Sequence, residues 1–267
     1  MKTLLRKIAR LSIVNWSMTL QYRADMMLWL FADAATPLVS MALWYAVAKN
    51  SSQGPSPQET INYYILTILV IIATNSWAGF FISQEIFNGT IVQRLIKPIS
   101  AFWGLILNSL SEKTFRFLLP IPLFLASLWL FPTFFVPTLY QLEPWLIFLA
   151  SLGMAATLSF FIDMIFGLLA FWIEDAFNMR WFKDTLQMIT SGILIPVAVM
   201  PERIQELVNI LPFRHIITTP IEVLLGRISD ATLLHTLGIQ LAWTVGTGIV
   251  MTMMWKQGLK RYAPPGQ

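Results

Sequence analysis

The stretch Glu85-Ile86-Phe87-Asn88-Gly89-Thr90-Ile91-Val92-Gln93-Arg94-Leu95-Ile96-Lys97-Pro98 is a polar interruption between two long apolar segments. Its chemistry predicts a docking element rather than a mere turn. Thr90 is a candidate N-cap for a short helix over residues 91–96, Gly89 relaxes the approach to it, and Pro98 disfavours helical geometry at Lys97 and closes the exit. On such a helix Ile91 and Leu95 share one face, with Arg94 beside them.

The flanking segments set the fold class. The 267-residue chain is 56% hydrophobic and only 12% charged, more apolar and less charged than a soluble globular domain. A membrane-spanning helix needs about 20 mostly apolar residues to cross roughly 30 Å of hydrocarbon. Six stretches approach that requirement, near residues 28–47, 61–81, 117–136, 145–171, 186–200 and 237–255, the fifth being short and expected to start earlier. The sequence therefore predicts an all-α membrane protein with six transmembrane helices. No stretch outside them is long enough for a soluble domain with its own core, and no internal repeat is visible, so residues 1–267 read as one membrane domain.

With a cytoplasmic N-terminus and six spans, the inner segments hold Lys2, Arg6, Lys7, Arg10, Arg23, Arg94, Lys97, Lys113, Arg116, Arg180, Lys183, Lys256, Lys260 and Arg261, and the outer ones Lys49, Arg203, Arg214 and Arg227. Lys/Arg bias in short loops sets orientation, so 14 against 4 places both termini on the cytoplasmic side of a cell inner (plasma) membrane. Residues 1–25 read as an interfacial helix: Leu4, Leu5, Ile8, Leu11, Trp16 and Met18 fall on one half-turn, with Lys2, Arg6, Lys7 and Arg10 opposite. A solvated basic terminus attached to a span is the plainer alternative. The N-terminus lacks the clean apolar core and small-residue site of a cleavable export signal.

Several features are read as structural. Residues 50–58 are a turn-rich linker, expected as a short outer loop. Tryptophans near span ends, such as Trp29, Trp44, Trp145 and Trp255, suit the membrane interface. Gly153, Ala155, Ala156, Gly246 and Gly248 permit close helix packing. Pro120, Pro122 and Pro132 bend the third span, or Pro120 and Pro122 only sit in its first turns.

The chemistry that is missing narrows the function. The sequence has no cysteine, which excludes disulfides, thiolate catalysis and cysteine-ligated metals. It has no G-x-x-x-x-G-K-[ST] loop, so any ATP is used elsewhere. Its two histidines, His215 and His235, lack suitably spaced ligand partners, and the motifs of zinc and serine hydrolases are absent. A membrane enzyme is disfavoured. Charges within spans are costly unless paired or hydrated, which singles out Asp33 and Asp163, and Asn75 beside Thr74 and Ser76 is a polar group of the same kind. These three either line a pathway or switch, or are structural, Asp33 lying near the inner headgroups and Asp163 and Asn75 making interhelical bonds.

The order of these elements resembles the permease subunit of ATP-binding-cassette transporters of the type-2 family, over nearly the whole chain. Glu85, Gly89-Thr90 and Arg94-Leu95-Ile96-Lys97-Pro98 look like that family's E-x-x-x-G-T followed by a Leu-rich turn and Pro, with Ile96 in place of the second Leu. The resemblance implies that residues 84–98 form a coupling segment seated in an ATPase subunit, with Glu85, Gly89, Thr90, Ile91, Arg94, Leu95 and Pro98 as its contact residues. A second marker is Gly192-Ile193-Leu194-Ile195-Pro196, then Pro201, Pro212 and Pro220 through Gly226, which looks like the family's external helical hairpin, two re-entrant helices over residues 201–228. Within it Pro201 suits the first turn of a helix whose apolar face is Ile204, Leu207, Val208 and Leu211, and Thr219-Pro220-Ile221-Glu222 matches a capping box. Gly226 is a natural stop.

By this resemblance Pro196, Pro201 and Pro212 join Asp33, Asn75 and Asp163 as pathway or gating candidates. It further implies an exporter without a catalytic residue or cofactor of its own, ATP and Mg being bound by cytoplasmic ATPase subunits. A second copy or a related permease completes the pathway, membrane lipids surround it, and no nucleic acid is involved. Two other readings remain: an ion-coupled carrier protonated at Asp33 or Asp163, disfavoured by the lack of an inverted repeat, and a noncatalytic scaffold that recruits a soluble partner. The substrate is not legible.

Overall fold

A computed structural model describes residues 13, 16, 17, 20–51, 54–96, 101–173 and 176–262, and every regular element among them is helical. Helix α1 (Arg23–Asn50) is followed by α2 (Pro57–Thr74), whose start obeys local chemistry: Ser56 Oγ accepts the Glu59 N–H at 3.2 Å, the Ser56 N–H donates to the Glu59 carboxylate at 2.9 Å, and Pro57 opens the first turn. The expected interfacial helix over residues 1–25 lies mostly outside the described residues, and its last part belongs to α1.

After Thr74 the apolar run breaks for three residues and resumes as α3 (Ala78–Phe87). The break is capped from within: the Asn75 N–H donates to the Ile71 carbonyl at 2.8 Å, and Ser76 Oγ accepts the Ala78 N–H at 3.3 Å. The short helix α4 (Ile91–Leu95) follows a turn at Gly89. Then come α5 (Ala101–Arg116) and α6 (Pro120–Leu130). The expected third span at 117–136 is displaced: the apolar helical stretch is Gly104–Leu130, Pro120 and Pro122 sit in the first turn of α6, and Pro132 opens a 3-10 turn, Pro132–Phe134.

Helix α7 (Leu142–Leu168) is the central element, packed against α11, α10 and α3. It leads through a 3-10 turn to α8 (Ala176–Thr190), the amphipathic α9 (Glu202–Ile210), α10 (Arg214–Leu224) and the long α11 (Asp230–Arg261).

Among the described residues five stretches are long and apolar enough to cross a membrane: Arg23–Asn50, Pro57–Phe87, Gly104–Leu130, Leu142–Phe171 and Asp230–Arg261. The segment expected as the fifth of six spans, at 186–200, is not one helix. Helix α8 does start earlier, but it stops at Thr190, because Gly192 adopts φ +91° and Pro196 follows. Trp44 Nε1 donates to the Leu194 carbonyl at 2.9 Å and pins α1 to this irregular passage.

Helix α10 is buried in the main core, where Ile216, Ile217, Ile221 and Leu224 meet Tyr63 and Tyr64 of α2 and Leu158 of α7. Residues 201–228 thus contain two short helices, with Pro201 just before the first and Gly226, at φ +66°, just after the second. The proposed capping box is absent: α10 already begins at Arg214, Pro220 lies inside it, and the Thr219 hydroxyl bonds His215 Nδ1 at 3.0 Å. A second core cluster, built on Ile82, Ile86, Ile91, Met164, Leu168 and Met251, lies toward the α4 end.

Candidate functional site

Two regions of the fold collect the residues singled out by the sequence. At the first, α3 ends at Phe87, and Gly89 turns the chain with φ +73°, a conformation that suits glycine. Tyr262 of the chain's far end donates its hydroxyl to the Gly89 carbonyl at 3.2 Å. Thr90 does not cap α4 with its side chain: it is itself in helical conformation, and its carbonyl accepts the Gln93 N–H at 3.0 Å.

Ile91 and Leu95 do not act on one common surface either. Ile91 is 0% exposed and plugs the core cluster beneath α4, whereas Leu95 is exposed. The exposed apolar ridge is Phe87, Val92, Leu95 and Ile96, the last 76% exposed. The expected coupling stretch, Thr90–Ile96 within residues 84–98, includes Val92 and Ile96 and its segment includes Phe87, but none of the three was singled out as a contact residue; their signal is an apolar side chain on an otherwise polar tip.

Arg94 braces the tip, donating from Nε to Glu85 Oε2 at 2.6 Å and from Nη2 to Glu85 Oε1. Nine residues separate them in sequence, and the Gly89 turn brings them together. Pro98 lies outside the described residues.

The second region surrounds the α2–α3 break. Asp33 of α1 pairs with Arg116 of α5 and accepts from Asn75 Nδ2 at 3.2 and 3.3 Å. Arg116 is also 3.3 Å from Glu112, one turn back. Asp163 of α7 accepts the Gly79 N–H at 2.7 Å and lies 3.0 Å from Lys183 and 3.3 Å from Arg180. Both cations also reach Asp184, at 2.8 Å from Lys183 and 3.4 Å from Arg180. The Arg180 guanidinium sits 4.0 Å from the centre of the Trp77 ring, a cation–π arrangement.

This overturns one step of the charge reading. Arg116 and Lys183 are not loop cations: they are buried within the bundle at 2% and 3% exposure, and Arg180 and Lys113 stand with them on helices. Without these four the inner count of the six-span reading falls to ten against the same four outer residues.

A cavity of about 510 Å³ opens between α1 and α8 beside these pairs. Trp29, Trp77 and Trp181 give it aromatic walls, and Asp33, Asn75, Arg180 and Asp184 supply polar groups. Asp33 and Asn75 therefore meet at one cavity, and Asp163 stands behind its wall. Pro196, Pro201 and Pro212 are not brought there: Pro196 borders a separate small void near Trp44, Pro201 precedes α9, and Pro212 precedes α10. Among the described residues no group of three His, Cys, Asp or Glu side chains could hold a metal ion.

A family model described as ABC-2 family transporter protein matches residues 32–266. A comparison with curated proteins returns no match.

Proposed function

The chain belongs to the ABC-2 family of transporter proteins, and we propose that within it the chain is the membrane-spanning permease subunit of an exporter powered by a separate ATPase. The observation that carries this reading is the α4 tip. An apolar ridge of Phe87, Val92, Leu95 and Ile96 faces outward, while Ile91 and the Glu85–Arg94 pair fix the same tip rigidly to the bundle. Such a surface suits a protein partner. A push on the ridge is transmitted through Ile91 to Met164 and Leu168 of α7, which share its core cluster.

In this reading ATP and Mg belong to cytoplasmic ATPase subunits, α8 with the irregular passage after it makes a sixth crossing so that both termini are cytoplasmic, and a second copy or a related permease supplies the other half of the pathway. The chain performs no chemistry itself. Coupling requires nucleotide to favour one conformation of the complex over the other by its differential affinity. The cavity beside Asp33 and Asn75 is the candidate stretch of the pathway. Asp33 and Asp163 are both ion-paired, which favours a structural role for them over a proton-carrying one.

Co-purification from native membranes, followed by transport-linked ATP hydrolysis in proteoliposomes, tests the proposal. Wild type should bring down an ATPase, and Arg94→Glu or Ile96→Asp should uncouple it while leaving the bundle folded. If no ATPase co-purifies and Arg94→Glu leaves hydrolysis intact, the assignment fails.

A further inference from the structure

Around the α2–α3 break stand four acids and four cations on helices, and seven of the eight are ion-paired with one another. The eighth, Lys113 of α5, has no ion-pair or hydrogen-bond partner among the described residues. The acids that act on it, Glu112 and Asp163, are already held by Arg116 and by Arg180 and Lys183.

Lys113 lines a different cavity from the one beside Asp33. This groove, about 560 Å³, lies between α5 and α7, and its walls are overwhelmingly apolar. Ser109, one turn before Lys113 on the same face, also lines it and has no hydrogen-bond partner among the described residues. Across from them α7 presents Gly153, Ala156 and Thr157, which leave the space open; a Cβ on Gly153 would meet nothing within 4 Å.

We propose that this groove binds an anionic phospholipid, with Lys113 and Ser109 holding its phosphate and the acyl chains running along Phe117, Leu149 and Leu152. The physical demand comes from the ammonium. A cation on a bilayer-spanning helix is costly without a counter-ion, and among the described residues the nearby acids are ion-paired with its neighbours and not with it. A phosphodiester supplies the missing charge, and its chains supply what an apolar groove open to hydrocarbon requires. The order of the residues fits one orientation. Cβ atoms tilt toward a helix's start, so the Lys113 side chain leans back toward the α4 end of the bundle, and Phe117 continues the groove in the opposite direction. The lipid therefore lies with its headgroup toward the docking tip.

The full chain, purified in mild detergent and titrated with phosphatidylglycerol or with phosphatidylcholine of matched chains, is read by native mass spectrometry. Phosphatidylcholine has the same phosphate, but its choline cation cancels the charge and repels the ammonium, so the uncompensated anion of phosphatidylglycerol predicts its retention over phosphatidylcholine on the order of tenfold. Lys113→Met, which keeps the apolar stem, should abolish the preference, and Lys113→Arg should keep it. Gly153→Phe should exclude both lipids by filling the groove without a backbone clash. Equal retention of the two lipids by wild type overturns the proposal whatever the variants do. So does an undiminished preference in Lys113→Met, an unchanged lipid load in Gly153→Phe, or displacement of the lipid by inorganic phosphate alone at the same concentration.

Discussion

The backbone of Gly79 lies against the backbone of Asp163. Its N–H donates to the Asp163 carboxylate at 2.7 Å, and a Cβ on Gly79 would come within 2.0 Å of the Asp163 carbonyl oxygen. One turn along α7 the relation is returned, since a Cβ on Gly167 would lie 2.2 Å from the Gly79 carbonyl oxygen. Helices α3 and α7 thus meet backbone to backbone, with glycine on both sides as the residue that permits it. This seam joins the α4 tip to the centre of the bundle.

Gly79→Ala and Gly167→Ala should each separate the two helices. Overpacking costs about 1–3 kcal/mol where side chains can yield, and the obstacle here is backbone, so the upper end is expected. Thermal unfolding of the purified protein checks this. Gly153→Ala, which meets open space, should leave the melting temperature within a degree or two of wild type or raise it, because alanine is the better helix former by about 1 kcal/mol.

Asp163→Ala should destabilise the fold by about 3–5 kcal/mol, since it strands the buried Arg180 and Lys183 with only the more exposed Asp184 between them. Asp163→Asn keeps an acceptor for the Gly79 N–H and should cost less. Adding Lys183→Met to Asp163→Ala should recover part of the loss, which a thermal-unfolding series would show. A single variant as damaging as the pair would mean that the charge balance is not what matters.

For Asp33 and Arg116 a double-mutant cycle is the direct measurement. Asp33→Asn and Arg116→Met should each destabilise, and the pair should be less damaging than their sum, with a coupling of about 1–3 kcal/mol. Arg116→Met should cost the more of the two, because it also releases Glu112 and the Trp29 carbonyl that Nη2 reaches at 3.4 Å.

His215, on α10 outside the five apolar stretches, gives the fold a pH dependence. Burial, with the Arg214 charge adding to it, pushes its pKa down to about 4. An unfolded histidine takes up its proton below about 6.5, and the folded one does not until about 4, so the unfolded state binds more protons in between. Stability contributed by this group is complete above that window and falls as pH falls through it. At pH 5 the loss should be about 2 kcal/mol relative to pH 8. His215→Gln should flatten this part of the stability profile, measured by thermal unfolding between pH 5 and 8.

Much of the architecture was legible because it is local. Runs of apolar residues announced α1, the α2–α3 stretch, α7 and α11, and the glycine turns at Gly89 and Gly226 follow from residue type, whereas the Ser56–Glu59 capping box lay unread at the end of the 50–58 linker. The α4 segment was recognised as a helix of its own, and Asp33, Asn75 and Asp163 were picked out by the cost of placing polar groups among apolar ones. What failed also failed for a local reason. Thr90 and Thr219 have the chemistry of caps, but one is held within the helical path and the other within a helix that starts earlier.

The sequence by itself determined that this chain is helical, lies in a membrane and carries costly polar groups within its apolar stretches, because backbone preference and hydropathy are properties of neighbouring residues. Only the tertiary structure decided where those costs are met. Arg116 finds Asp33 across 83 positions and Lys183 finds Asp163 across 20, which turned two apparent loop cations into buried counter-ions; Lys113 is ion-paired with none of the described residues. The free energy of a charge in low dielectric depends on what stands within a few ångströms of it, and that distance is set by packing rather than by order along the chain.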